Sequence, residues 1–167
     1  MAFTIYDASV PVFRQVLGNL SQLLDKAEAH AAEKGLAVNS LLDAQLAPDM
    51  FAFTRQIQIA TDHAKGATAR LAGLEIPKYE DTEKSVADLK ARIQKTLDFI
   101  ATAKPEQFVG AEDRAIKLVF PWATYDFTGA RYLTYWALPN FFFHATTAYD
   151  ILRAQGVAIG KADFIGR

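Results

Sequence analysis

The sequence predicts an all-α fold, a four-helix bundle with a small β-hairpin between the third and fourth helices. Apolar residues recur every three or four positions in four long stretches, which is the spacing of one helical stripe. One short stretch alternates with period two on both sides of a proline, which is typical of a hairpin. A chain of 167 residues without internal repeat or linker has the size of one domain, so we expect a single domain over residues 1–167.

The first helix is expected over residues 9–34. Ser9 can cap its start, Pro11 is tolerated in the first turn, and Gly35 is typical of a C-terminal cap. The apolar stripe of this helix consists of Phe13, Val16, Leu17, Leu20, Leu23, Leu24, Ala27 and Ala31. A short helical turn is expected over residues 39–44, before the entry to the second long helix.

The second helix is expected over residues 48–72, and the third from a cap at Thr82 to a point before Pro105. Pro48 suits an early helical position, and Gly73 ends the second helix. The third helix stops before Pro105 because the residue ahead of a proline disfavours helical geometry. The stripes of these helices consist of Phe53, Ile57, Ala60, Ala64, Ala67 and Leu71, and of Val86, Leu89, Ile93, Leu97 and Ile100.

The pattern then changes from helical spacing to alternation. The alternating apolar residues are Ile116, Leu118 and Phe120 before Pro121, and Ala123, Tyr125 and Phe127 after it. This predicts two strands joined by a turn. A fourth helix is expected from the end of the hairpin at Gly129 to about residue 155, with a break or kink near Pro139. The tail of residues 157–166 is apolar enough that we expect it to pack back on the body.

Composition excludes several classes of function. A net charge of −1 leaves no basic footprint for nucleic acid. The absence of cysteine excludes disulfides, thiolate nucleophiles and cysteine-ligated zinc. No run of about 18 apolar residues is present, so we expect no membrane span, and without a secretory signal at the N-terminus we expect a cytoplasmic protein. No phosphate loop, dinucleotide fingerprint or His-Glu-x-x-His motif occurs.

Three histidines are the main candidates for chemistry. His144 stands in one of the most apolar stretches of the chain, next to the inward stripe of the fourth helix, so its ring needs a partner. His63 lies beside the inward stripe of the second helix and can reach a cleft between helices. His30 lies in the last turns of the first helix, where a cation is favoured by the helix dipole, so we interpret it as a capping or surface charge.

Two other groups of residues receive structural interpretations. Glu80, Asp81 and Glu83 precede the third helix, where we expect solvated capping charges. The aromatic residues of the fourth helix are interpreted as core or interface filling rather than as a dedicated ligand box. They are Trp136, Phe141, Phe142, Phe143 and Tyr149.

The sequence Leu-Pro-Asn-Phe-Phe-Phe-His-Ala-Thr-Thr-Ala-Tyr-Asp-Ile-Leu-Arg at 138–153, followed by Gly-Val-Ala-Ile-Gly-Lys-Ala-Asp-Phe at 156–164, resembles a bacterial family of domains of unknown function. This family lies in the DinB-like, YfiT-like superfamily. Residues 60–66 and 69–73 fit the same pattern, so the resemblance covers nearly the whole chain. It implies a DinB-like four-helix bundle, often dimeric, and agrees with the fold predicted from periodicity.

The resemblance also implies where a metal would bind. Better-known members of the superfamily hold a divalent metal through one histidine of the second helix and a His-x-x-x-His pair of the fourth. These positions correspond to His63, His144 and residue 148, which is Ala148 here. Two imidazoles alone hold zinc or nickel weakly. A third ligand would have to come from Asp126, Asp163 or His30 through tertiary folding, since helical geometry directs Asp62 and Asp150 away from the core.

Two functions remain open from the sequence. In the first, the protein is a small-molecule-binding or structural homodimer that has lost the metal triad and needs no cofactor, with His63, His144 and Tyr149 as pocket candidates. In the second, it is a divalent-metal-dependent enzyme of thiol-transferase or hydrolase type, in which His63 and His144 bind Zn or Ni with an unidentified third ligand. Ala148 favours the first, and no catalytic residue can be assigned.

Overall fold

The computed structural model describes residues 3–167, and most of them are helical. The helices are α1 Val10–Lys34, α2 Val38–Leu42, α3 Phe53–Ala72, α4 Val86–Ala101, α5 Gly129–Tyr132, α6 Leu138–Ala154 and α7 Lys161–Ile165. A 3-10 turn covers Pro105–Phe108, and a π-helical turn covers Leu133–Ala137. The strands β1 Ala115–Phe120 and β2 Ala123–Thr128 form one antiparallel pair between α4 and α5. The predicted helical class and the predicted hairpin are therefore both confirmed.

The four long helices pack around a shared core. Helix α3 lies against both α4 and α6, and α1 packs against α4 and α6 from the other side. Three alanines of α3, Ala60, Ala64 and Ala67, are fully buried. These small side chains let the neighbouring backbones approach closely, and they match the predicted stripe. No helix within residues 3–167 has both the length and the hydropathy needed to cross a membrane.

The ends of α1 confirm one predicted cap and correct the other. Gly35 has a left-handed backbone with φ 64°, and its N–H reaches the last carbonyls of α1, as expected of a C-terminal cap. Ser9 precedes the helix, but its hydroxyl donates backwards to the Ile5 carbonyl at 2.6 Å and makes no cap bond. The predicted Ser9 cap is wrong because the Ser9 backbone, with φ −123° and ψ −74°, is not in the extended conformation of a capping residue.

Helix α3 begins five residues later than predicted, at Phe53 instead of Pro48. The preceding residues close a loop in which the Phe53 N–H donates to the Ala44 carbonyl at 2.9 Å. The side chain of Gln56 also turns back to this loop and donates to the Phe51 carbonyl at 2.9 Å. These tertiary contacts outweigh the local tolerance for proline at a helix start.

Helix α4 also begins later than predicted. Its cap is Ser85 rather than Thr82, and the Ser85 hydroxyl accepts a hydrogen bond from the Asp88 N–H at 3.1 Å. Its end at Ala101 agrees with the predicted stop before Pro105. The loop that leads to α4 is held instead by ion pairs of Asp81 and Glu83 with Arg92.

The hairpin packs its aromatic side chains against the start of the last long helical segment. Ile116 pairs with Phe127 and Leu118 with Tyr125, and both aliphatic side chains are buried. The Trp136 ring lies 5.1 Å from the Tyr125 ring and 5.8 Å from the ring of Phe120. At the end of β2, Gly129 passes so close to the loop before β1 that a Cβ there would lie 1.8 Å from the Ala111 carbonyl oxygen.

The predicted break near Pro139 takes the form of the π-helical turn that ends at Ala137. All the residues at its ends keep right-handed helical geometry, so α5, the π turn and α6 follow one another without a gap. Proline lacks an N–H and its ring crowds the carbonyl one turn earlier. The wider turn relieves this crowding, and the Asn140 side chain donates to the Trp136 carbonyl at 2.8 Å.

The C-terminal tail packs on the body, as predicted. Val157 and Ile159 are buried, and α7 lies along α1. Asp163 pairs with Lys26 at 2.5 Å, and the Gln15 side chain donates to the Ile165 carbonyl at 2.7 Å. The tail is thus held by polar contacts as well as by its apolar residues.

Candidate functional site

The fold brings His63 of α3 and His144 of α6 together. Their ring centroids are 6.0 Å apart, and the two ring planes are nearly parallel, with 13° between them. Both rings are partly buried, because the two helices pack closely along this face. The pair sits on the surface that α3 shares with α6, the most extensive helix contact of the fold.

Gln56 fixes the chemical state of the His144 ring. Its Oε1 atom lies 2.7 Å from His144 Nδ1, and its Nε2 donates to the Phe51 carbonyl. A carbonyl only accepts, so the amide nitrogen of Gln56 must face Phe51 and the amide oxygen must face the ring. His144 therefore carries its proton on Nδ1, and its Nε2 has a free lone pair in the neutral state.

Both imidazoles are neutral at pH 7. The pKa of His63 is lowered from 6.5 to about 4, mainly by burial and then by His144 and Arg70, while the Asp62 carboxylate opposes the shift. Burial also lowers the pKa of His144, and the positive charge of Arg55 acts in the same direction. The pair therefore offers N–H donors and nitrogen lone pairs rather than positive charge.

Three polar residues of α3 are spaced seven residues apart and contact the same helical segment. Gln56 bonds to His144, His63 lies beside that ring, and the Arg70 Nη1 atom donates to the Tyr132 hydroxyl at 3.2 Å. Seven residues complete two turns, so the three lie along one side of the helix. Gln56 and Arg70 are not among the site residues predicted from the sequence, although the seven-residue spacing of the three can be read from the sequence.

Asp62 adjoins His63 in the chain but belongs to a separate ionic cluster. Its Oδ1 lies 2.9 Å from Arg92 Nη2 and 2.7 Å from Lys65 Nζ. Arg92 is 3% exposed and also pairs with Asp81 and Glu83, each at 3.0 Å. The interpretation of Asp81 and Glu83 as solvated capping charges is therefore wrong, because both neutralise a buried guanidinium. Asp62 is likewise committed to this cluster.

The other site candidates contact residues outside the histidine pair. Tyr149 packs edge-on against the Phe164 ring of the tail, with centroids 5.8 Å apart. Asp163 pairs with Lys26, Asp126 lies 3.6 Å from Lys117, and the His30 ring lies near Gly156. Nothing in these contacts brings Tyr149, Asp126, Asp163 or His30 to the pair.

Ala148 stands where the superfamily resemblance would place a third imidazole. It is fully buried and forms part of the core. Among residues 3–167, no three histidine, aspartate or glutamate side chains are grouped so that they could hold a metal ion. The residues present therefore fit a pair of imidazoles better than a complete zinc or nickel site, which needs three protein ligands.

Comparison with known proteins agrees with a helical protein of the DinB type. The crystal structure of a DinB family member protein from Shewanella denitrificans is similar over 98% of this chain and 92% of that one, with 40% sequence identity and a TM-score of 0.91. The sequence profile of the domain of unknown function DUF1993 matches residues 5–165. The chain belongs to this family. A search of the curated proteins finds no match.

Proposed function

We propose that the protein is a DinB-like four-helix bundle that binds a small molecule at the His63–His144 pair without a metal. The observation that carries this proposal is the pairing itself, two neutral imidazoles whose third partner position is the buried Ala148. Such a pair can donate and accept hydrogen bonds or transfer a proton to a bound molecule. The free Nε2 lone pair of His144 supports the same role.

Metal content and ligand binding test this proposal together. Protein is purified without an affinity tag, its zinc and nickel are measured, and a set of neutral and anionic fragments is screened by ligand-observed NMR. We expect less than one metal per ten chains, and fragments that bind the native protein but not His63→Ala or His144→Ala. The exposed Gln94→Ala serves as the matched control, since this side chain donates to Asp98 on the same helix. Absence of any bound fragment contradicts the proposal.

A divalent-metal-dependent enzyme is the second candidate, and one observation favours it. Gln56 holds His144 by Nδ1, which is how metal-binding histidines are usually oriented so that Nε2 faces the metal. In this candidate, an enzyme of thiol-transferase or hydrolase type, His63 and His144 hold zinc or nickel with an unidentified third ligand. Near-stoichiometric metal that is lost in both histidine variants supports it and contradicts the metal-free proposal.

We further propose that the protein is a homodimer. Phe142 and Phe143 are exposed on α6, and apolar surface of this kind is common at interfaces. Light scattering at micromolar concentration is expected to give twice the 18.4 kDa of one chain, and a double variant Phe142→Ser, Phe143→Ser is expected to be monomeric. A strict monomer in the native protein contradicts this proposal. The cytoplasmic location stays a prediction.

A further inference from the structure

Arg70 has an unusual position for a charged side chain. It is partly buried at the end of α3, and its guanidinium carbon lies 5.7 Å from the centre of the Tyr132 ring. Its polar contact is the hydrogen bond to the Tyr132 hydroxyl at 3.2 Å. Among residues 3–167 no carboxylate forms an ion pair with it. The Arg70 charge is therefore partly withdrawn from water without an ion-pair partner.

Gly66 determines where the guanidinium lies. A Cβ at position 66 would be 2.7 Å from Arg70 Nη1, so the side chain lies back over α3 across the preceding turn. Helical side chains point toward the N-terminus in this way. His63 is a further turn back on the same side of α3, so the Arg70 charge is directed toward the histidine pair.

The local charge balance beside the pair is positive. The Asp62 carboxylate is taken by Lys65 and Arg92. At the other end of the pair, Arg55 forms an ion pair with Asp81, which also pairs with Arg92. Arg70 therefore has no counter-ion among residues 3–167, and its positive charge helps to lower the pKa of His63. Arg114 also lacks an ion pair, but its guanidinium donates to the Leu71 and Gln107 carbonyls beyond the end of α3.

We infer that Arg70, together with His63, binds the oxyanion group of the small molecule, a carboxylate or a phosphate. This inference rests on the proposed function and specifies its ligand. The guanidinium has five N–H donors in a planar fork that matches two oxygens of either group. A neutral imidazole adds an uncharged donor, and the partly buried setting makes the charged hydrogen bonds stronger than they are in water.

NMR titration of the full chain tests this inference with defined probes. Inorganic phosphate, benzoate and neutral benzamide are titrated separately while the ring signals of His63 and the side-chain Nε–H signal of Arg70 are followed. We expect saturable shifts of both signals with phosphate, benzoate or both, and at least tenfold weaker binding of benzamide than of benzoate. The anion that saturates distinguishes a phosphate ligand from a carboxylate ligand.

Variants locate the binding group. Arg70→Met is expected to weaken anion binding about tenfold or more, which corresponds to one charge-assisted hydrogen-bonding group. Arg131→Met, an exposed arginine on α5, is the matched control and is expected to bind as the native protein does. If Arg70→Met does not fold, the Arg70 signal of the native protein still decides, because an anion bound elsewhere leaves it unshifted.

The failure of this inference is distinguishable from failure of the proposed function. Neutral fragments that bind at His63 and His144 while phosphate and benzoate leave the Arg70 signal unshifted would overturn the oxyanion inference and leave the proposed function intact. Anion binding that is unchanged in Arg70→Met would also overturn it. If neither the neutral fragments nor the anions bind at the histidines, the proposed function itself fails.

Discussion

The Oε1 atom of Gln56 lies 2.7 Å from Nδ1 of His144, and the direction of this hydrogen bond is set by a third group outside the pair. The Phe51 carbonyl accepts from the Gln56 amide nitrogen and so leaves only the amide oxygen for the ring. A loop residue that touches neither histidine thus determines which nitrogen of His144 is available. This relationship leads to the first prediction.

Replacing Gln56 by leucine should shift the tautomer of His144. In the native protein we expect Nδ1–H to predominate at pH 7, and in Gln56→Leu we expect a mixture, because the acceptor is gone. The variant also leaves the Phe51 carbonyl without its donor, which should cost about 1–3 kcal/mol of unfolding free energy. Ring ¹⁵N shifts report the tautomer and urea unfolding reports the stability. Gln94→Leu, at an exposed position of α4, should change neither quantity, and a native-like tautomer in Gln56→Leu would refute the assignment.

Stability should fall with acid over a window set by His63. Its pKa is about 4 in the folded protein and 6.5 in its ordinary state, so between these values the unfolded chain binds more protons. The contribution of neutral His63 to the free energy of unfolding is therefore fully present above about pH 6.5 and decreases as the pH falls toward 4. At about 1.4 kcal/mol per pKa unit, the decrease from this residue is about 3 kcal/mol.

The measurement is urea unfolding at several pH values between 4 and 7.5. His63→Gln should have a shallower dependence of stability on pH than the native protein. His30→Gln, whose ring lies near Gly156 away from the pair, tests whether loss of any histidine gives the same result. Equal slopes for native protein and His63→Gln would show that His63 is not held neutral by the fold.

Arg92→Met should be strongly destabilising. The substitution leaves Asp62, Asp81 and Glu83 without their shared cation, and breaking one side of a buried ion cluster costs about 3–5 kcal/mol. The matched control is Lys117→Met in the hairpin, because Lys117 and its partner Asp126 are both exposed. This substitution should change the free energy of unfolding by no more than about 1 kcal/mol. Thermal and urea unfolding check both values, and a loss for Arg92→Met no larger than the control would show that the cluster has little structural importance.

Two glycine-to-alanine substitutions should have opposite effects. At Gly129 the new Cβ would collide with the Ala111 carbonyl oxygen, so the hairpin must shift and several kcal/mol should be lost. At Gly18 the Cβ meets nothing within 4 Å in the middle of α1, and alanine should stabilise the helix by about 0.5–1 kcal/mol. The melting temperatures of the two variants should therefore move in opposite directions. A neutral Gly129→Ala would mean that the connection after β2 adjusts freely.

Much of the fold follows from local patterns. The long helices and the hairpin were predictable because their apolar spacing is set by residues a few positions apart. The starts at Pro48 and Thr82 were wrong because both residues are merely permitted at a helix start. The first residue of each helix is decided by contacts with residues outside it, such as the hydrogen bond from the Phe53 N–H to the Ala44 carbonyl.

The site was predictable only in its two histidines. Helical geometry directs His63 and His144 toward neighbouring surfaces, and the fold brings them together. Gln56 lies 88 positions from its partner His144, and Arg92 lies 30 positions from Asp62. Such pairings depend on how helices are placed in space, and spacing along one helix does not contain that information. The contact of Tyr149 with Phe164 of the tail could not be predicted for the same reason, and its role as a pocket residue stays a prediction.

The π turn at Leu133–Ala137 amounts to one surplus residue in an otherwise regular helix. Each residue of an α-helix turns the direction of the next side chain by about 100°, so the surplus rotates everything after it relative to α5. Deleting one residue from this turn would therefore rotate α6 relative to α5 and turn His144 away from His63, although both histidines would remain in the sequence. A relative whose sequence aligns with a one-residue gap at this turn can therefore have both histidines but place their rings in different directions.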